Sequence, residues 1–208
     1  KAFASITEIP KDADAYLLAI SDWALSETVR QLPSVDGIVM HTSGSIGLGI
    51  FSGTIKRAAV FYPLQTFSKN KEVDLSLVPI LIESDDTEIV ESLKELGNKF
   101  SEHIKEVDSH QRKQLHLAAV FACNFSNYMY YIAQDLLQEK GLDFNLIKPL
   151  IKETAKKLDT LSPRAAQTGP AIRRDMKTLN RHLERLNKHP EYQEIYHLIS
   201  EQIQNLKD

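Results

Sequence analysis

Apolar residues follow two different rhythms along this chain. In the first half they form short, nearly unbroken runs at residues 15–21 (AYLLAIS), 37–43 (GIVMHTS), 58–62 (AAVFY) and 78–84 (VPILIES). Short runs without alternation are how strands covered on both faces read. Between the first two runs, Leu25, Val29 and Leu32 share one face of a helix predicted over 22–32. After the fourth, Ile89, Leu93, Leu96 and Phe100 make a second stripe, opened by an expected capping box of Asp85 and Glu88. Strand, helix and strand repeated in this way predict right-handed βαβ units and a mostly parallel sheet.

From about His110 the strand signal stops. Residues 111–139 read as one long helix whose middle, LHLAAVFACNF, is apolar nearly all round, as in the centre of a bundle or in a subunit interface. Three more helices are predicted. The first covers 145–158, with Pro149 tolerated because it falls near the first turn. The others cover 169–186 and 192–206. The expected organisation is therefore an α/β domain over 1–109 and an all-helical domain over 110–208.

Composition narrows the class. Of the 208 residues, 42% are hydrophobic and 25% charged, ordinary values for a globular protein and wrong for a disordered one. A single cysteine, Cys123, excludes an intramolecular disulfide and fits a reducing, cytoplasmic setting. No apolar run approaches the roughly 20 residues needed to cross a bilayer, so no membrane span is expected. Residues 1–109 carry 10 Lys+Arg against 17 Asp+Glu, and residues 110–208 carry 15 against 11. The basic residues are spread over amphipathic helices, so no nucleic-acid partner is expected.

Three places can carry chemistry. In an open parallel sheet, ligands bind at the carboxyl ends of the strands. Here those ends are Ser21-Asp22, His41-Thr42-Ser43-Gly44-Ser45 and 62–69 (YPLQTFSK), which includes Gln65 and Thr66. Such residues also populate any βα turn as caps; the convergence of three loops on one rim is what makes it a candidate. On the long helix, His116, Cys123, Asn127 and Gln134 fall on one line, with Asn124 to one side. A satisfied interhelical network explains such a stripe as well as a site does. Asn124 and Asn127, one turn apart, can share a small ligand, whereas His116 and Asn127 stand roughly 16 Å apart along the axis. The third place is 162–171 (SPRAAQTGPA). Thr168 reads as an N-cap with Pro170 in the first turn, a helix start whose free N–H groups suit a carboxylate or phosphate. Arg174 and Asp175 are expected inside that helix, on the face away from Ile172, Met176 and Leu179.

Taken together, HTSGSIG at 41–47, YPLQTFSK at 62–69, LHLAAVFACNFSN at 115–127, PLIKET at 149–154 and AQTGPAIRRD at 166–175 resemble one family. It is the bacterial Rossmann-like family whose helical C-terminal part is labelled a domain of unknown function, and whose members are commonly described as NADP oxidoreductases. Its fold is similar to that of pyrroline-5-carboxylate reductases and of 6-phosphogluconate and hydroxyacid dehydrogenases. The resemblance implies a dinucleotide domain followed by a helical domain that dimerises, an NADP or NAD cofactor and a small-molecule substrate. Two departures stand out. The G-x-G-x-x-G fingerprint is absent, so the family pattern predicts a βαβ-type piece of about 30–50 residues before residue 1. The hydroxyacid dehydrogenases carry a lysine four residues before an asparagine on the long helix; here Val120 precedes Asn124 and Cys123 precedes Asn127.

The expected site then has Ser21, Asp22, Thr42, Ser43, Gln65 and Thr66 on the cofactor. Gln167, Thr168, Gly169 and Arg174 hold the substrate, and His41, Asn124, Asn127 and Asp175 line a catalytic cleft. His41, at a strand end, is the first candidate for general acid and His116 the second. The activity expected is reduction or oxidation of a small carboxylate-bearing keto or imine compound. The contrasting expectation is a non-catalytic dimeric nucleotide- or metabolite-binding protein on the same scaffold, which the missing lysine favours.

Overall fold

The computed structural model describes residues 5–206. The chain forms two compact units, Lys1–Ser126 and Asn127–Asp208. The change of rhythm near residue 109 marks where the strands stop; the first unit continues through the following helix to Ser126.

The first unit is a five-stranded sheet in the order β1 (Ala15–Leu18), β2 (Ile38–His41), β3 (Ala58–Pro63), β4 (Ile80–Glu83) and β5 (Ile104–Glu106). The four predicted apolar runs become β1 to β4. From β2 to β4 both faces of the sheet are covered, as unbroken runs demand, whereas β1 is covered on one face and its Leu17 is exposed. On one face, Ile38, Met40, Phe61, Ile80 and Ile82 pack with Ile89 and Leu93 of α2 (Thr87–Gly97). On the other, Leu18, Val39 and Val60 pack with Leu25 and Val29 of α1 (Asp22–Gln31) and with Leu48 and Phe51. Alternation of Ile38, Val39 and Met40 between the two cores follows from the two-residue period of a strand.

Three of the four pairings are parallel, but β3 and β4 run antiparallel, with Val60 opposite Glu83 and Pro63 opposite Ile80. No helix crosses over between them. The connection returns through a short 3-10 turn at Leu75–Leu77, and Leu64 N–H bonds to the Pro79 carbonyl at 2.8 Å. The fifth strand, IKE, has too little apolar character to show in the sequence and is mostly exposed. It docks where α2 ends, at Gly97: a Cβ there would meet Ile104 Cδ1 at 2.6 Å. The stripe of α2 therefore stops short of Phe100, which is exposed. Its cap is Asp86, not Asp85; the Asp86 carboxylate accepts from Glu88 N–H at 2.8 Å and Ile89 N–H at 3.4 Å.

Helix α3 (Ser109–Ala119) opens with a capping box between Asp108 and Gln111. The long helix is not uniformly α. A π turn occupies Val120–Phe125, and the α form resumes in α4 (Ser126–Gln138). Ser126 Oγ donates to the Phe121 carbonyl, five residues back, at 3.3 Å. Wider turns advance the helix by less than 100° per residue, so the polar line drawn from His116 to Asn127 does not survive the crossing.

The second unit also contains α5 (Lys148–Lys156), α6 (Met176–Arg185) and α7 (Pro190–Gln204). Pro149 sits in the first turn of α5, as the sequence predicts. The helix expected from residue 169 begins only at Met176, with Asp175 as its cap. Residues 169–175 are turns, because Gly169 takes a φ of 109° and Arg174 a φ of 54°, values outside any right-handed helix. Among the described residues no helix is long and apolar enough to cross a membrane.

Candidate functional site

The polar rim is built on the loop that follows β2. His41 ends the strand, wholly buried between Leu18 and Val60 in the register and stacked on Phe51 at 5.5 Å. Its Nδ1 accepts from Ser43 N–H at 3.1 Å. Ser43 Oγ then accepts from Ser45 N–H at 3.1 Å and Ile46 N–H at 3.0 Å, curling the loop back on itself. Ser45 Oγ donates to the Asp22 carboxylate in the first turn of α1. The ends of β1 and β2 are thereby stitched together: Asp22, His41, Ser43 and Ser45 form one cluster.

Two charged residues hold this loop from beneath. Arg112, in α3, is completely buried and forms an ion pair with Glu83 at the end of β4. Its Nε donates to the Ser43 carbonyl at 3.2 Å and its Nη2 to the Ile46 carbonyl at 2.5 Å. Ser109 Oγ donates to the other Glu83 oxygen at 2.7 Å and accepts from Leu48 N–H at 3.0 Å. Neither charged residue is visible as functional in the sequence. The one available signal is Glu83 itself, an acid closing the apolar strand PILIE, which needs a partner once buried.

Above the loop, Tyr62 near the end of β3 pairs its hydroxyl with His116 Nδ1 of α3 at 3.1 Å. The two rings meet edge to face directly over Gly44. A Cβ on Gly44 would lie 2.6 Å from His116 Nδ1 and 2.9 Å from Tyr62 Cζ, so only glycine allows this approach. Burial raises the Tyr62 pKa; Arg112 pulls it down and Asp22 adds to the rise.

The environment of His41 runs against its expected role as general acid. Burial pushes its pKa down to about 4, the Arg112 charge pushes the same way, and the Gly47 backbone, Glu83 and Asp22 pull weakly upward. Among the described residues its buried Nε2 has no hydrogen-bond partner. A neutral, enclosed imidazole that accepts from Ser43 is a structural prop, so the protonated form that a general acid needs is not available near pH 7.

The other expected residues scatter. Gln65 and Thr66 are exposed, and Thr66 N–H bonds to the Gln65 side chain at 2.7 Å in a local turn. Ser21 stands at the N-cap position of α1 with its hydroxyl making no capping bond, and Thr42 is half-buried. Asn124 is exposed in the π turn. In the second unit, Asn127 lines a cavity of ≈ 430 Å³ with Gln134 and Lys148. Thr168 lines a different, apolar cavity of ≈ 290 Å³ beside Ile132, Ile195 and Ile199. It starts no helix, so the N–H cradle expected there is absent. Gln167 Nε2 donates to the Thr168 carbonyl at 3.0 Å, and Arg174 Nη2 to the Gln204 carbonyl at 3.2 Å. Asp175 caps α6: its carboxylate accepts from the Thr178 hydroxyl at 2.7 Å and from Thr178 N–H at 3.1 Å, which holds its pKa below the usual carboxylate range.

A family model described as Domain of unknown function (DUF2520) matches residues 78–203. The chain belongs to this family. The DUF2520 chain is 39% identical to a Bacteroides fragilis protein provisionally named an NADP oxidoreductase, over 98% of this chain and 80% of that one, with a TM-score of 0.91. It also superposes on protein TM1727 of Thermotoga maritima, at 22% identity over 94% and 78% of the two chains and a TM-score of 0.74. Likeness to a 1-pyrroline-5-carboxylate reductase of Streptococcus pyogenes, at 13% identity over 93% and 76% and a TM-score of 0.52, extends to the fold alone. Comparison with curated proteins gives no match. The resemblance carried by the loop and helix motifs, and the Rossmann-like class with its helical part, are thus borne out.

Two outcomes test the site's construction. Arg112→Met leaves the Glu83 carboxylate buried without its partner and should cost about 3–5 kcal/mol in urea unfolding. Adding Glu83→Gln should then cost much less than the sum of the single changes; strict additivity would disprove the coupling. The second concerns pH. The folded pKa of His41, about 4, lies below the unfolded value of 6.5, so the unfolded chain binds more protons between them. Stability present above pH 6.5 is lost as pH falls toward 4, by up to roughly 1.4 kcal/mol per pH unit. His41→Asn, which retains an acceptor for Ser43 N–H, should flatten the urea midpoint between pH 6.5 and 4.5; an unchanged slope assigns that loss to other groups.

Proposed function

We propose that this chain is an oxidoreductase that works with NADP or NAD on a small keto or imine compound bearing a carboxylate. The observation that carries the reading is the rim itself. The ends of three successive parallel strands, β1 to β3, bring Asp22, Ser43, Ser45 and Tyr62 to one sheet edge, where open α/β sheets take their ligands. Likeness over 98% of the chain to a protein provisionally named an NADP oxidoreductase supports the cofactor class.

The residues present fit the ribose end of such a cofactor. Ser21 has a hydroxyl free of capping duty, Thr42 and Ser45 flank a loop whose backbone is already fixed, and Gln65 and Thr66 lie exposed on the next strand end. A bound reduced nicotinamide supplies the reducing equivalents. The chain's own part is to orient the reacting group and to hold a proton for it. With His41 neutral and enclosed, that proton sits at the Tyr62 hydroxyl, hydrogen-bonded to His116 Nδ1. Gly44 keeps the pair in register. Asn124 and Asn127 remain the proposed substrate-orienting amides and Gln167, Thr168, Gly169, Arg174 and Asp175 the proposed substrate-side residues; of these Asp175 already caps α6, and Gln167 and Arg174 already donate to the Thr168 and Gln204 carbonyls.

We also propose a homodimer assembled through the helical part. Leu117, Phe121 and Phe125 follow one another at four-residue spacing and are all about half exposed or more, Phe121 at 63%. Phe121 and Phe125 pack edge to face at 4.9 Å, and an exposed apolar cluster of this kind suits an interface.

Fluorescence titration with NADPH should show saturable binding, and Tyr62→Phe should leave that binding intact while abolishing reduction of a keto acid or cyclic imine found by screening. Binding without turnover of any such compound would instead favour the non-catalytic reading, and absence of binding to either nicotinamide would remove the cofactor assignment. Light scattering at micromolar concentration should give twice the chain mass, and Phe121→Asp should halve it or render the protein insoluble; a native monomer would refute the dimer.

A further inference from the structure

The cavity beside Asn127 has a chemistry of its own. On α4, Asn127, Tyr130, Tyr131 and Gln134 are spaced i, i+3, i+4 and i+7, one face of a helix. On α5, Lys148, Ile151 and Lys152 repeat the i, i+3, i+4 spacing, and Phe144, before that helix, joins the lining. Three aromatic rings and an isoleucine thus make the wall, and two amides and two ammonium groups make the polar points. No carboxylate among the described residues lines the space. Among the described residues neither lysine forms an ion pair. Asp143 feels the Lys148 charge, but its oxygens are held by Asn145, through the backbone N–H at 2.8 Å and the side-chain amide at 3.0 Å.

We infer that this cavity is a binding site for an aromatic ring carrying two negative charges. Each part of the lining argues for one part of that ligand. A flat ring lies against Tyr130, Tyr131 and Phe144, where stacked or edge-on contact adds about 0.5–1.5 kcal/mol to the area buried. Tyr131 is braced for the task by Tyr128, ring on ring at 5.9 Å and 13°, so little is lost in ordering it. Lys148 and Lys152 stand one turn apart, about 5–6 Å between Cβ atoms, a separation that two anionic groups on one ring can match. Both lysines are exposed, and like charges lining one groove attract an anion and repel a cation. Asn127 and Gln134, each both donor and acceptor, select the ring's orientation without adding charge. The cavity volume of ≈ 430 Å³ falls in the range of about 300–1,000 Å³ usual for small-molecule sites. The inference depends only on the second unit's own side chains; it shares Asn127 with the proposed substrate site, but Lys148, Lys152 and Tyr131 belong to this cavity alone.

Isothermal titration of the whole chain distinguishes the parts. Isophthalate and phenyl phosphate carry ring and two charges, as carboxylates and as phosphate; glutarate carries the charges without the ring, and benzamide the ring without the charges. Both ring dianions, or one of them, should bind at least tenfold more tightly than glutarate or benzamide, and which one binds better names the anionic group. Lys148→Gln and Lys152→Gln should each weaken that binding about tenfold, and Tyr131→Ala should reduce ring dianions to the affinity of glutarate. Unchanged melting temperatures and unchanged NADPH affinity in the three variants would show that the fold and the rim are intact. Ring dianions that bind no better than glutarate, or whose binding ignores both lysines, overturn the inference even where NADPH binds. Conversely, loss of the cofactor reading through failed NADPH binding leaves it untouched.

Discussion

The buried pair of Arg112 and Glu83 is the constraint on which the first unit's functional surface depends. An arginine with no exposed surface is tolerable only when its charge and its N–H groups are all answered, since an unpaired buried charge costs several kcal/mol. Glu83 answers the charge, and the carbonyls of Ser43 and Ile46 take two further donors. Those carbonyls belong to the loop that must leave β2 and still present hydroxyls to the rim. The ion pair therefore does for the loop's backbone what a strand ladder does for a sheet. It gives the polar groups partners and leaves one conformation. Ser109 closes the circuit by binding Glu83 and Leu48 N–H together, so β4, α3 and the loop after β2 are fixed by a single carboxylate.

Much of the fold could be read from residue patterns, and the exceptions have identifiable causes. The runs at β2 to β4 were legible because burial on two faces leaves no polar alternation, and β1 reads the same although its Leu17 face is exposed; the stripes of α1 and α2 follow their buried faces. Strand β5 was not, since an edge strand of three half-polar residues has no pattern to offer. The antiparallel step between β3 and β4 was hidden because direction is set by the route of the connection, and 64–79 carries no helix to force a crossover. The late start of α6 turned on two backbone angles. Thr168-Gly169-Pro170 has the composition of a helix start, but Gly169 used its freedom to turn the chain, and Asp175 became the cap instead. Local signals for a cap are alike at both positions; only the φ of Gly169 and Arg174 distinguishes them.

The candidate site was legible in outline and opaque in detail for a related reason. Strand-end residues can be named once strands are named, so Asp22, His41 and Ser43 were found together. Their roles depend on partners far away in sequence, such as Arg112 beside Ser43 and His116 beside Tyr62, and no spacing rule connects these. His41 shows the consequence. Its position at a strand end made it a proton donor on paper, while burial against Phe51 and beside Arg112 made it a neutral acceptor. Gly44 shows the same limit: a glycine between two serines in a loop reads as a turn former, yet it has a negative φ and serves as the floor for two rings.

The two units differ in how they are held. Among the described residues, twenty of the buried apolar side chains precede Ser126 and only four, Ala171, Leu179, Leu186 and Tyr192, follow it. The first unit thus has a core on each face of its sheet and an ion pair that locks its loop. The second has helices whose apolar residues, among them Leu146, Leu150 and Leu158, remain largely exposed. Helices of ten to fifteen residues draw most of their stability from packing an apolar face, not from propensity. A helical unit with so little covered surface is the part of the molecule with most to gain from association, whether the occupant is another chain or a small ligand. Anything that binds only its folded form adds stability in proportion to the logarithm of its concentration over its dissociation constant. The Lys148 and Lys152 pair makes the same point electrostatically. Two like charges one turn apart on a helix destabilise it by about 0.2–0.5 kcal/mol, a penalty that an anion at the proposed site would remove.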